Sequence, residues 1–292
     1  PFITFSRPVK FLTVKAYMIY LFIMKTVLVL GSSGVVGTAL CKVLRREKYD
    51  VIEWDIKKSY TQDLSNPINN TRLREMVNKS DFVFFLAYDV GGSKYLKNIT
   101  HDFINRNVML MMNTFDVIGN KPCIFMSSQM QNMSNTYGVL KLLGEHYMQS
   151  MNGISVRLWN VYGPEVVDEK SHVITDFIHM YKKNKSIHML TDGTEKRQFL
   201  HTNDCADALI CMMNNLNEIL TEKKVVDLTN FEWVDIKGVA NIIAHNGNIT
   251  FTDKKDTTQT KCNEPDDFIL KYWKPIINLK TGIQTIIDGQ ST

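Results

Sequence analysis

Cysteine is scarce in this sequence. The 292 residues include five, an odd number without a C-x-x-C pair: Cys41, Cys123, Cys205, Cys211 and Cys262. This pattern argues against a disulfide framework and a zinc site. Free cysteine is commonly a small buried hydrophobe, so we expect reduced thiols in a cytoplasmic protein. The seven histidines lack a grouping such as H-E-x-x-H, and no metal site is predicted.

A strong charge of either sign is also absent. The 34 Lys and Arg residues are scattered among 30 Asp and Glu residues, and the formal net charge is +4. Nucleic-acid binders concentrate basic residues in a patch or stripe, so no nucleic-acid partner is expected. The composition, with 44% hydrophobic and 22% charged residues, is typical of a globular protein and excludes disordered, collagen-like and coiled-coil chains.

The amino end has no apolar run long enough to cross a bilayer. Its uncharged apolar run, residues 16–23, is shorter than the roughly 20 residues that a membrane helix needs. Lys15 precedes this run and no small-residue cleavage site follows it, unlike in a signal peptide. We expect no integral membrane span. We interpret residues 1–23 as a leader outside the fold, non-native or translated from an upstream start, with a membrane-surface extension as the alternative.

A glycine-rich segment follows the first apolar run after Met24. The run TVLVL, residues 26–30, is typical of a buried parallel strand, and it leads into GSSGVVG, residues 31–37, and a helical pattern. Glycines at this point let the backbone approach a pyrophosphate, whose charge the helix N-terminus favours. The predicted dinucleotide-binding residues are Gly31, Ser33, Gly34, Val35, Val36 and Gly37.

The second predicted strand, residues 50–56, contains a carboxylate near its end. Asp55 lies 24 residues after Gly31, close to the spacing of the carboxylate that binds the adenosine ribose. A carboxylate there would repel a 2′-phosphate, which favours NAD over NADP. Lys57 and Lys58 follow directly, so NADP stays open as an alternative. A solvated strand-end carboxylate is the structural alternative.

The chain continues with alternating strands and helices, without internal repeats. The further elements predicted up to residue 149 are strands at 82–87 and 123–126 and helices at 72–78, 103–118 and 137–149. This alternation predicts an α/β fold with a Rossmann-like doubly wound parallel sheet. We place a dinucleotide-binding domain at 24–160 and a smaller C-terminal substrate-binding region at 161–292. Segments near 200–230 are expected to return to the sheet.

A possible proton-transfer site follows the strand at 123–126. Tyr137 and Lys141 form Y-x-x-x-K, and the i, i+4 spacing places both on one helix face. An ammonium near a phenol lowers its pKa, as a general acid or base requires. Ser128 lies nine residues upstream, at a strand end, where open α/β sheets bind ligands. We predict that Tyr137, Lys141 and Ser128 are catalytic.

From Met24 almost to its end, the chain resembles the extended short-chain dehydrogenase/reductase family. Within it, the resemblance is to NAD-dependent nucleotide-sugar epimerases and dehydratases, including those of the UDP-glucose 4-epimerase type. The segments that carry the resemblance are GSSGVVG, Asp63-Leu64, Leu86-Ala87, Asn107, Ser127-Ser128, the Tyr137/Lys141 pair, RLWNVYGP at 157–164, and residues 192–209 and 273–283. The resemblance also implies a homodimer built from two helices per subunit.

The resemblance implies a role for each matching residue. Tyr137 would be the acid and base, Lys141 would hold the nicotinamide ribose, and Ser128 would bind a sugar oxygen. Further cofactor contacts are implied for Asp63, Leu64, Leu86, Ala87 and Asn107. Substrate contacts are implied for Asn160 and for Arg197, whose planar fork suits a nucleotide diphosphate.

At positions 129 and 130 the sequence differs from family members that catalyse other reactions. Gln129-Met130 replaces the Asp-Glu pair of the dehydratases, and neither side chain accepts a proton, so 4,6-dehydration is not expected. Met130 also stands where enzymes that epimerise GDP-sugars at C3 and C5 have a cysteine. The Gly91-Gly92 pair resembles those GDP-sugar enzymes, although a glycine turn after a strand explains it equally well.

These features predict an NAD-dependent nucleotide-sugar epimerase that acts at C4 through a transient 4-keto intermediate. The first alternative is an NADPH-dependent 4-keto nucleotide-sugar reductase, because it uses the same tyrosine, lysine and serine. A non-catalytic nucleotide-binding module is a further alternative, disfavoured by the intact Ser128, Tyr137 and Lys141. The expected partners are a nucleotide sugar and a second copy of the chain.

Overall fold

The structure is a computed structural model that describes residues 25–132, 135–245, 247–255 and 263–289. The predicted leader, residues 1–23, and Cys262 lie outside the described residues. The strands, numbered along the chain, are β1 (Thr26–Leu30), β2 (Asp50–Trp54), β3 (Phe82–Phe85), β4 (Cys123–Ser128), β5 (Gly153–Leu158), β6 (Asn160–Tyr162), β7 (Ser186–His188), β8 (Lys196–Arg197), β9 (Phe199–His201), β10 (Val225–Leu228), β11 (Val234–Asp235) and β12 (Asn248–Thr250).

A six-stranded parallel sheet forms the centre of the fold, in the order β2-β1-β3-β4-β5-β10. Strands β3 and β4 are buried along their whole length, as expected for strands covered on both faces. The chain reverses its direction of progress between β1 and β3, which is the switch point where doubly wound sheets bind ligands. The prediction of a Rossmann-like doubly wound parallel sheet is confirmed.

Helices cover both faces of this sheet. The α-helices are α1 (Val35–Arg46), α2 (Asn70–Lys79), α3 (Ser93–Leu96), α4 (His101–Ile118), α5 (Thr136–Gln149), α6 (Val173–Asn184), α7 (Thr202–Asn214), α8 (Leu216–Glu222), α9 (Ile236–Ala244) and α10 (Leu279–Ile287). One apolar core joins α1 and α7 to the sheet, and a second joins α2, α4 and α5 to its other face. Among the described helices, none is long and apolar enough to cross a membrane.

A third apolar core lies in the C-terminal half of the chain. It joins α6, α9 and α10 near three two-stranded pairs, β6 with β9, β7 with β12 and β8 with β11. The C-terminal half also contributes α7, which packs on α1, and β10, which pairs with β5. The chain therefore crosses between the sheet and the third core more than once.

Candidate active site

A cleft of about 1360 Å³ lies at the carboxyl ends of the parallel strands. Residues that follow β1, β2, β3, β4 and β5 line it together. The sheet register brings them to one edge, because Leu30 lies opposite both Trp54 and Phe85. This is the place where open α/β sheets bind ligands. All of the predicted site residues except Asn107 line the cleft.

The glycine loop, residues 31–37, packs closely at the end of β1, and two of its positions have no room for a side chain. Gly31 has φ +89°, and a Cβ there would lie 2.6 Å from the Ala87 backbone nitrogen. A Cβ on Gly37 would lie 2.1 Å from the Gly31 carbonyl oxygen. Gly34 caps α1 without a side chain, so backbone N–H groups of the first helical turn lie at the cleft. This cradle fits the pyrophosphate of a dinucleotide.

Asp55 connects the end of β2 to the glycine loop. Its carboxylate accepts hydrogen bonds from the backbone N–H groups of Ser33 and Lys57, each at 2.8 Å. A carboxylate has about four acceptor positions, so two remain for ribose hydroxyls. The Lys57 residue lines the cleft, whereas the Lys58 ammonium is paired with Glu53.

Asp63 and Leu64, the implied adenine contacts, also line the cleft. The Asp63 carboxylate accepts hydrogen bonds from the Ser65 N–H at 2.9 Å and the Ser65 hydroxyl at 2.7 Å. The Asn113 amide donates to the Leu64 carbonyl at 3.1 Å, which ties this turn to α4. Leu64 and Leu110 add apolar surface there, as an adenine ring requires.

Ser128, Tyr137 and Lys141 come together at the centre of the cleft. The Asn135 side chain caps α5 by accepting a hydrogen bond from the Gly138 N–H at 2.8 Å, and this starts the helix one residue before Tyr137. Ser128 is hydrogen-bonded to Tyr137. The Lys141 ammonium donates to the Met126 carbonyl at 2.8 Å.

Burial dominates the acid–base properties of this group. It raises the pKa of Tyr137 to about 12, and the hydrogen bond with Ser128 only partly opposes this effect. Burial also lowers the pKa of Lys141 to about 7. Lys141 is not among the causes of the shift in the pKa of Tyr137, so the expected effect of its ammonium on the phenol stays a prediction.

Asn160 and Arg197 line the cleft from β6 and β8. The Asn160 amide donates to the Gln198 carbonyl at 3.4 Å, and the Arg197 guanidinium donates to the Lys196 carbonyl at 2.7 Å. Both strands belong to the C-terminal half of the chain.

Asn107 is the predicted cofactor residue that the structure places behind the cleft. It is fully buried on α4. Its amide oxygen accepts from the Asp89 N–H at 2.8 Å, and its amide nitrogen donates to the Asp89 carbonyl at 3.1 Å. Asn107 does not line the cleft, and its implied role as a cofactor contact stays a prediction. Because the Asn107 side chain bonds to both the N–H and the carbonyl of Asp89, it fixes the backbone of the segment that follows β3.

The Gly91-Gly92 pair provides a close contact between two cleft segments. A Cβ on Gly91 would lie 2.9 Å from Lys170 Cβ, and one on Gly92 would lie 2.4 Å from the Ser171 carbonyl oxygen. The Lys170 ammonium also pairs with Asp89 at 2.6 Å. The glycine pair thus has a structural reason, but it is the close approach of residues 170 and 171 and not the expected turn, since residues 86–92 form no turn. No sequence signal could have linked Asp89 to Lys170, which are 81 positions apart.

A histidine–carboxylate pair that the predicted site did not include also lines the cleft. His172 Nδ1 lies 2.7 Å from the Glu165 carboxylate, which also accepts from the His172 N–H at 3.0 Å. Burial opposes ionisation of Glu165, but the hydrogen bonds and charge of His172 hold its pKa below the usual value. Among the described residues, no group of three or more His, Cys, Asp or Glu side chains is arranged to hold a metal ion.

Comparison with known protein families identifies the class to which this fold belongs. Residues 27–226 match the model of the NAD dependent epimerase/dehydratase family, and the chain belongs to this family. The resemblance to the extended short-chain dehydrogenase/reductases is confirmed.

Known relatives span almost the whole chain at low identity. The chain is 25% identical to a GDP-L-fucose synthase of Sinorhizobium fredii, over 90% of this chain and 95% of the relative. It is 27% identical to a putative UDP-glucose 4-epimerase of Methanocaldococcus jannaschii, over 90% and 97%. Its fold matches a GDP-mannoheptose C4 reductase of Campylobacter jejuni with NADP bound, at 21% identity, a TM-score of 0.76 and coverage of 92% and 99%.

Proposed function

We propose that this protein is an NAD-dependent nucleotide-sugar epimerase that acts at C4 through a transient 4-keto intermediate. One observation carries the proposal: Ser128, Tyr137 and Lys141 meet in the same cleft as the glycine loop and the Asp55 carboxylate. The first group suits proton transfer at a sugar hydroxyl. The carboxylate at the end of β2 favours a ribose with free hydroxyls, as in NAD.

The protein's part in this reaction is to orient the sugar and to move a proton. Bound nicotinamide supplies the redox chemistry at C4. Tyr137 takes the proton of the C4 hydroxyl as a phenolate and returns it to the same oxygen, while the Ser128 hydroxyl donates to that oxygen. The Lys141 ammonium stabilises the phenolate and binds the nicotinamide ribose. Gln129 and Met130 offer no base beside Ser128, so the sugar keeps its C6 hydroxyl.

Arg197 and Asn160 supply the substrate side of the proposed reaction. A guanidinium binds two phosphate oxygens at once, which suits the diphosphate of a nucleotide sugar. The Asn160 amide is placed to bind a hydroxyl. Leu64, Leu86 and Ala87 would pack on the cofactor.

A 4-keto nucleotide-sugar reductase that uses NADPH is the second candidate. Lys57 lines the cleft two residues after Asp55, and a lysine in this position would neutralise a 2′-phosphate. The C4 reductase with bound NADP that shares this fold favours the same alternative. The two candidates differ in cofactor turnover, because an epimerase recycles its cofactor and a reductase consumes it.

The first experiment is to purify the full chain, denature it and identify any released nicotinamide by mass. We expect stoichiometric NAD, followed by epimerisation of UDP- or GDP-hexoses without net change in NADH absorbance. Tyr137→Phe is expected to lose this turnover, with Tyr60→Phe as the exposed control. An empty site that prefers NADPH, with its net oxidation on a 4-keto sugar, would establish the reductase instead. Full activity of Tyr137→Phe would refute both.

We further propose a homodimer in the cytoplasm. Four apolar side chains lie exposed on the outer faces of α4 and α5: Met109, Met112, Val139 and Leu143. Such a patch is typical of an interface between subunits. Light scattering is expected to give a dimer for the wild type and a monomer for Val139→Asp/Leu143→Asp. A monomeric wild type would contradict the proposal. The free thiols of Cys41, Cys123, Cys205 and Cys211 suit a reducing compartment.

A further inference from the structure

One aromatic side chain outside the predicted site lies directly against Lys141. Tyr88 follows β3 by three residues, and its ring centroid is 3.5 Å from Lys141 Nζ. The same ring makes an edge-to-face contact with Tyr137, at a centroid distance of 5.9 Å. Tyr88 therefore contacts both residues of the Y-x-x-x-K pair.

We propose, on the basis of the proposed function, that Tyr88 is a positioning residue whose ring holds the Lys141 ammonium beside Tyr137 by a cation–π contact. A cation within about 6 Å of a ring centroid is attracted by the π electrons, most strongly where water is excluded. Lys141 is 3% exposed, so its ammonium has exchanged water for this ring and the Met126 carbonyl. A buried ammonium with these two contacts has a fixed position.

The carboxylates near Lys141 are paired with other cations, so the Tyr88 ring is left to stabilise the Lys141 ammonium. Two carboxylates are candidates for pairing with Lys141: Glu145 on the same helix and Asp89 in the segment that carries Tyr88. Both carboxylates are paired with other cations, Glu145 with Arg157 and Asp89 with Lys170. Strand β4 contributes the Met126 carbonyl and the Phe125 ring, whose centroid is 5.2 Å from Nζ. Burial alone lowers the pKa of Lys141, and the Tyr88 ring opposes this loss of charge.

The Tyr88 hydroxyl does not share in this contact. It is buried without a hydrogen-bond partner among the described residues. Tyr88→Phe keeps the ring and removes an unsatisfied polar group, so it serves as the matched reference. Fluorine atoms on that ring then withdraw π-electron density at nearly constant shape.

The test compares phenylalanine and its mono-, di- and trifluorinated forms at position 88 in the full chain. The pKa of Lys141 is measured without cofactor from its ¹³Cε chemical shift, assigned by the loss of the signal in Lys141→Met. We expect Tyr88→Phe to keep the wild-type pKa, and each added fluorine to lower it, by about 1 in total for three. NADH affinity at alkaline pH is expected to weaken in the same order, because less ammonium remains.

An equal pKa of Lys141 in all four variants would overturn the proposal, because a ring that only packs against Lys141 would act in the same way whatever its π-electron density. A Tyr88→Phe value already as low as that of the trifluorinated ring would overturn it as well. The pKa measurement uses neither cofactor nor substrate. If Tyr137→Phe kept full turnover, the proposed function would fail while the order of pKa values with fluorine number would still stand.

Discussion

Arg157 donates two hydrogen bonds to Glu145, from Nε to Oε1 at 2.8 Å and from Nη2 to Oε2 at 2.7 Å. Glu145 lies on α5, one turn beyond Lys141 and two beyond Tyr137. Its side chain is 5% exposed, and it also accepts a hydrogen bond from the Ser127 hydroxyl at 2.6 Å. These bonds tie the helix that carries Tyr137 to β4 and β5.

Arg157→Met is expected to lower the free energy of unfolding by about 3 kcal/mol, because it leaves the Glu145 carboxylate buried without its cation. Urea denaturation followed by circular dichroism measures this change. The double variant Glu145→Leu/Arg157→Met removes both charges and is expected to recover much of the loss. An Arg157→Met protein as stable as the wild type would show that the pair contributes nothing.

Lys141→Met is expected to stabilise the fold while it abolishes the proposed turnover. The pKa of Lys141 is about 7 in the folded protein and about 10.4 in an unfolded chain. Since the unfolded state binds this proton more tightly, the lysine destabilises the fold below pH 7, and this cost declines as the pH rises toward 10. The pKa difference corresponds to about 4 to 5 kcal/mol at pH 6, and the lost hydrogen bond to the Met126 carbonyl offsets about 1 kcal/mol of this gain.

Denaturation at several pH values tests this gain. Lys183→Met, at an exposed position on α6, is the control and is expected to leave the free energy of unfolding nearly unchanged. A Lys141→Met protein less stable than the wild type at pH 6 would contradict the prediction.

His201 is expected to limit stability at acidic pH. It is 3% exposed, and burial lowers its pKa to about 4, below the value of about 6.5 in an unfolded chain. Because the unfolded state binds the proton more tightly, the free energy of unfolding falls as the pH drops from about 7 to about 4. His201→Asn keeps an acceptor for the Asn203 N–H at the start of α7.

Melting temperatures measured between these pH values provide the test. His201→Asn should show a shallower decline than the wild type, whatever its stability at neutral pH. His146→Asn changes an exposed histidine and should keep the wild-type slope. Equal slopes for all three proteins would rule out His201 as the cause.

Asn107→Asp is expected to cost about 2 to 3 kcal/mol and to weaken NADH binding. The new carboxylate loses the donor to the Asp89 carbonyl and places a charge in a fully buried site. Asn105→Asp, an exposed change on the same helix, is the matched control. Denaturation and NADH titration measure both effects. NADH affinity equal to that of the control would mean that Asn107 does not position the segment after β3.

Local patterns predicted the elements that hold the site. The helix predicted at 103–118 spans His101–Ile118, and the strand predicted at 123–126 extends to Ser128. The glycine loop lies between β1 and α1, where it was predicted. These features depend on neighbouring residues, because apolar periodicity and glycine placement are set within a few positions of the chain.

Contacts between distant residues were not predictable in the same way. The pairing of Lys170 with Asp89 and of Arg46 with Asp207 depends on where the fold places each side chain. Asn107 matched a family motif, yet its contacts are to the backbone of Asp89. Tyr88 carries no motif, and only its position over Lys141 marks it. Single sequences hold little information on such contacts.

The pairing of β10 with β5 has a consequence for how this chain can be divided. A fragment that ends near residue 160 would expose the hydrogen-bonding edge of β5, and exposed strand edges promote aggregation. It would also expose the apolar face of α1 that α7 covers. The two halves would then have to complete each other during folding, with many contacts distant in sequence. A graft of the C-terminal half from a relative would therefore have to carry α7 and β10 with it.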